Sequence, residues 1–253
     1  MSTPIPIPAA TFSPAEVVRK SAVTQAANGL NFASLGEAPI TTAELERMVA
    51  AVPIHVAGAV GRRAFYFVPL TVNEGDETRI AEQYDVALSD KAVCHRNLTL
   101  ENSLCVFIST RLMDDKFSVA FEFYINVGHA FVEQTGVSQE FVDLVTAQVE
   151  AGVKGETSLD AHELRKQAFE RTQADGLRVI DEKSKTGYLN AAFSDAIAIY
   201  MLSLYLDVDY YDLREREYPL LSPAPLAERL RKIAKLFPAN PGYEFAVFFR
   251  RRP

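Results

Sequence analysis

With 253 residues, the chain is long enough to bury a core without disulfide or metal staples, and 48% hydrophobic with 23% charged residues is ordinary for a soluble globular protein. The net charge of −7 argues against broad nucleic-acid binding, because an acidic body repels phosphate. Cys94 and Cys105 are too few for a disulfide framework, which points to a reducing, cytoplasmic setting.

The opening segment MSTPIPIPAATFSP has neither the basic nor the apolar region of a secretory signal, and its prolines favour an extended arm over residues 1–12. Ser13-Pro14-Ala15-Glu16 reads as a helix start with a capping box, and the helix is expected to run to Ala27 with Asn28-Gly29 as its stop. Thr41-Thr42-Ala43-Glu44 repeats the device ahead of a stripe of Leu45, Met48, Val49 and Val52, ended by Pro53. Ile54–Val60 and Ala64–Val72 are expected to be strands about Gly61-Arg62-Arg63, with Pro69 marking an edge or a bulge. Residues 73–77 read as a loop and Tyr84–Leu88 as a short strand.

Leu104–Val127 is the stretch about which the layout is expected to be built. From Phe117 on, apolar and polar residues alternate strictly, as on a half-buried strand. Leu104–Thr110 is β-branched and aromatic enough to pair with it, and Leu112–Lys116 fits a short reversal, so a long antiparallel hairpin over 104–127 is expected. Ser138 heads a helix with Phe141, Val142, Val145 and Val149 on one face, and Ser158 heads a more polar one reaching about Asp175, with Gly176 as its stop. Ala191–Leu206 is apolar nearly all round and is expected to be a buried helix lying on the sheet, capped by Asn190. As a helix it is ~24 Å long, short of a membrane span. Ser222-Pro223 opens a last amphipathic helix with Leu226, Leu230 and Ile233 inward and Arg229, Arg231, Lys232 and Lys235 outward, and Tyr243–Phe249 is expected to return to the sheet as a strand. Strands gather in the first half and helices in the second. The expectation is therefore a single α+β domain, with a mainly antiparallel sheet covered by helices from the C-terminal half.

Two constellations are candidates for chemistry. His129 and Glu133 stand four apart after the alternating stretch, with Glu122 on its polar side; a histidine with carboxylates can bind a metal or move a proton. Asp207, Asp209 and Asp212 place three carboxylates within six residues, a set able to hold a divalent cation through oxygen. Tyr205-Leu206-Asp207-Val208-Asp209, preceded by Ser194-Asp195, resembles the DxD motif of nucleotide-sugar-dependent glycosyltransferases, a likeness of some 16 residues. The resemblance implies that Asp207 and Asp209 hold a divalent metal against a diphosphate. No P-loop, Gly-x-Gly-x-x-Gly, Gly-x-Ser-x-Gly, His-Glu-x-x-His or Cys-x-x-Cys occurs.

Charge is uneven: Leu213–Pro253 holds nine Lys/Arg against four Asp/Glu. That basic end, the exposed-looking tyrosines Tyr205, Tyr210, Tyr211 and Tyr218 beside it, and the proline-rich arm favour a non-catalytic binding or assembly protein acting through a protein partner or a second copy of itself. A divalent-metal-dependent enzyme is the alternative. A third reading is a small apolar ligand walled by Phe65, Phe67 and Phe121.

Overall fold

A computed structural model describes residues 11–36, 38, 40–72, 77–81, 93–110, 116–170, 179–213 and 220–248. The elements in chain order are β1 (Thr11–Phe12), α1 (Pro14–Lys20), β2 (Thr24–Gln25), β3 (Asn31–Ser34), α2 (Thr42–Ala50), α3 (Ile54–Val60), β4 (Arg63–Val68), β5 (Leu70–Val72), β6 (Thr78–Ala81), β7 (His95–Leu100), β8 (Ser103–Ser109), α4 (Lys116–Thr135), α5 (Gln139–Glu150), α6 (Leu159–Phe169), α7 (Glu182–Tyr205), β9 (Val208–Asp209), α8 (Pro223–Leu236) and β10 (Val247–Phe248). The fold class is α+β, and the sheet is not closed. Two compact units divide the chain: Met1–Ala50 with Gly61–Phe123, and Ala51–Val60 with Tyr124–Pro253.

The first unit is built on a five-stranded sheet in the order β2-β3-β4-β8-β7. Its two central pairings, β3 with β4 and β4 with β8, are parallel, and only the outer pairs are antiparallel. The expected predominance of antiparallel pairing is thus corrected for this sheet. It holds for the smaller sheet β1-β6-β5. Register sorts the side chains. Phe65, Phe67, Val106 and Ile108 share one face, where Phe123 of α4 sits 5.1 Å from the Phe65 ring and 5.4 Å from that of Phe67. Tyr66, Val68, Cys105 and Phe107 share the other, packed with Val17 of α1, Leu70 and Ile80. Both capping boxes exist: Ser13 exchanges bonds with Glu16, and Thr41 with Glu44. Helix α1 nevertheless ends at Lys20, well short of Ala27.

The expected hairpin over 104–127 is half right. Leu104 and its followers form β8, but their antiparallel partner is the earlier β7, through a two-residue loop in which Glu101 adopts φ 55°. Lys116–Thr135 is a helix. The reason lies in the spacing. Val119, Phe123 and Val127 recur every four residues, which suits a strand's period of two and a helix's 3.6 alike. The buried Ala120, Tyr124 and Phe131 complete the helical stripe, and the described stretch has no proline to break it. Of the reversal expected over Leu112–Lys116, residues 112–115 lie outside the described residues and Lys116 begins α4; residues 1–10 and 84–88 also lie outside them.

In the second unit Ile54–Val60 is helical, not a strand; its buried positions Val56, Ala57 and Val60 fall at helical spacing after Pro53, and Asn240 accepts from the Ile54 N–H at 3.0 Å. Helix α7 begins at Glu182, capped by Asp181 rather than Asn190, and is buried without a break from Ala192 to Tyr205. Its neighbours within the unit include α5, α6 and α8. Among the described residues the expected strand Tyr243–Phe249 is reduced to β10, which pairs in parallel with β9.

Helices α4 and α7 meet at backbone distance: a Cβ on Gly128 would stand 2.6 Å from the Ser194 carbonyl oxygen. A methyl group there forces the helices apart. Gly128→Ala is expected to lower stability by about 1–3 kcal/mol in urea unfolding. An unchanged midpoint contradicts this packing.

Candidate functional site

The sequence-nominated residues lie on α4 and on the stretch that follows α7. His129 and Glu133 are both exposed, one turn apart on α4 in the second unit. Glu122 belongs to the first unit, where its Oε1 lies 2.5 Å from Nδ1 of His95 on β7. Asp207 is exposed just beyond α7, Asp209 lies half-buried in β9, and Asp212 is in a 3-10 turn over Tyr210–Leu213. Among the described residues no three His, Cys, Asp or Glu side chains gather closely enough to hold a metal ion. Asp195, counted in the DxD resemblance, is buried in α7 and accepts from Thr157 Oγ1 at 2.8 Å and from Ser158. Phe65 and Phe67 are spent in packing on Phe123, while Phe121 is half-buried and stacks on Phe117 at 5.9 Å.

A buried polar cluster in the second unit escaped the sequence reading. Arg229, expected to point outward, is wholly buried with Glu156. Arg229 donates Nη1 to Glu156 Oε2 at 2.7 Å and Nη2 to Oε1 at 3.3 Å, a two-pronged pair. Its Nε donates to Gln148 Oε1 at 2.8 Å. Tyr188 on α7 donates its hydroxyl to Glu156 Oε1 at 2.5 Å, and Arg165 on α6 adds Nη1 at 3.0 Å. The Glu156 carbonyl accepts from Leu221 N, so the residue is held by backbone as well. Burial pulls the Arg229 pKa down, but the carboxylate beside it more than offsets this and the net shift is upward. Burial likewise drives the Tyr188 hydroxyl far above its ordinary range. The signal was present in the sequence: Arg229 follows Leu226 by three and precedes Ile233 by four, on the apolar stripe of α8. With both side chains fully buried, the pair joins α5, α6, α7 and α8 to the connection ahead of α6. Its work is structural.

A different kind of opening exists in the first unit. β7 ends the five-stranded sheet, and its hydrogen-bond phase is fixed by Ser109 N donating to the Cys94 carbonyl. In an antiparallel ladder bonded residues alternate. Arg96, Leu98 and Leu100 therefore bond to β8, while His95, Asn97 and Thr99 turn their N–H and C=O groups to the outer edge. No described strand pairs with that edge. The side chains alternate too: His95, Asn97 and Thr99 are exposed, and Leu98 and Leu100 pack on the unit's core.

No protein-family model, curated protein or solved structure matches the chain.

Two outcomes follow from the buried groups. Arg229→Met leaves the Glu156 charge without its main partner in the core and is expected to cost about 3–5 kcal/mol; calorimetry showing less than a third of this would reduce the pair to a bystander. Asp195 is pushed up to about 6, chiefly by burial and further by Glu156, while Ser158, Thr157 and Arg229 draw it back. A carboxyl raised above its unfolded value of about 4 favours the fold while protonated. That contribution is complete below about pH 4 and is lost as pH rises through about 6. Relative to Asp195→Asn, the wild-type chain is thus expected to lose about 2–3 kcal/mol of stability between pH 4 and 7. A difference flat in pH across urea titrations would show that Asp195 does not titrate there.

Proposed function

We propose that the chain is a non-catalytic binding or assembly protein, acting in the cytoplasm through protein–protein contacts. The observation that carries this reading is the outer edge of β7. An edge strand offers a row of backbone donors and acceptors to which an extended segment can add as a further strand. β7 contains no proline and no lysine, two of the usual guards against such addition. The free thiols of Cys94 and Cys105 are in keeping with a reducing compartment. The net charge of −7 favours protein over nucleic acid as the partner. Among the described residues no helix is long and apolar enough to cross a membrane.

The test uses the outward N–H of Asn97. Proline at this position removes a donor that the sheet does not use, so the fold is expected to survive. Light scattering over a hundredfold dilution, with the chain also used as bait on a column, is expected to reveal association that Asn97→Pro weakens at least tenfold with little change in melting temperature. A chain that is strictly monomeric and retains no partner contradicts the reading.

A further inference from the structure

We infer that the partner seated on the β7 edge is a second copy of this chain, the two β7 strands pairing antiparallel about a two-fold axis at Asn97. The inference rests on the binding reading above and names its partner. The outward-facing backbone positions 95, 97 and 99 are evenly spaced about Asn97. Antiparallel pairing centred there sets Asn97 against Asn97 and His95 against Thr99 on both sides, so all three residues of each strand bond across the axis. Arg96 then stands opposite Leu98, and no like charges face each other. Neighbouring registers are worse. Shifting toward His95 sets Arg96 against Arg96. Shifting toward Thr99 brings in Glu101, whose φ of 55° takes it out of extended backbone. Leu98 and Leu100 are already committed to the core, so the edge offers backbone groups and a polar row, and selectivity falls to register. A second copy meets that requirement in the register centred on Asn97, where every outward group is bonded and no like charges are opposed.

The register is testable by cross-linking in the full-length chain, with Cys94→Ser removing the exposed native thiol. Opposed bonded residues in an antiparallel pair lie ~5.5 Å apart at Cα, within disulfide reach. Asn97→Cys is therefore expected to give a covalent dimer under mild oxidation. Thr99→Cys in the same background is expected to give at least tenfold less, since its own copy lies roughly 13 Å away along the strands. If the chain associates by light scattering but the two variants cross-link equally, or neither does, pairing at this axis is overturned while the binding reading stands. A monomeric chain that captures another protein, with capture lost in Asn97→Pro, overturns the second copy as partner and keeps the edge as the site. A monomer with no partner overturns both.

Discussion

A polar group withdrawn from water without a partner costs about 1–3 kcal/mol, and more if it is charged. That constraint shapes both units, in opposite ways. In the second unit, charge lies inside the helical core and is answered there. Arg229 and Glu156 are wholly buried, each satisfied by the other and by Gln148, Tyr188 and Arg165. In the first unit, the main-chain groups of His95, Asn97 and Thr99 are left at an edge.

The two solutions have different consequences. A buried ion pair gains little net stability over a well-packed apolar one, but it is intolerant of misplacement, because either member alone is a stranded charge. Glu156 sits in the connection before α6, so its bonds tie that connection to Tyr188 on α7 and Arg229 on α8. An edge strand behaves otherwise. Its outer groups exchange water for protein at little cost, which makes it a place where a partner adds without rearranging the sheet. The buried charges of the second unit thus serve packing, whereas the edge proposed for binding is backbone that carries no unusual chemistry.

Legibility in the sequence followed locality. The α+β class, the caps at Ser13, Thr41 and Ser158, and the buried character of Ala191–Leu206 rest on residues a few positions apart, where propensity and periodicity act directly. The hairpin over 104–127 failed where two periods coincide, since a four-residue recurrence in Val119, Phe123 and Val127 serves strand and helix alike. β7 escaped notice because His-Arg-Asn-Leu-Thr-Leu is too polar for the usual strand signal; it is an edge with one face in water. Arg229 was legible, on the stripe with Leu226 and Ile233, but its charge and its basic neighbours suggested solvent. Its partner Glu156 stands 73 positions away, beyond what spacing reports. The acidic run at Asp207, Asp209 and Asp212 spans the end of α7, β9 and a 3-10 turn, a change of backbone within six residues that spacing alone does not report.

Amide hydrogen exchange along β7, followed by NMR at low and high protein concentration, reads the edge most directly. At low concentration the N–H groups of Arg96, Leu98 and Leu100 are expected to exchange slowly and those of His95, Asn97 and Thr99 fast. At high concentration the fast set is expected to become protected with the others unchanged. Six uniformly slow amides in the dilute chain, or a fast set that stays fast when concentrated, would contradict an open edge that closes on its partner.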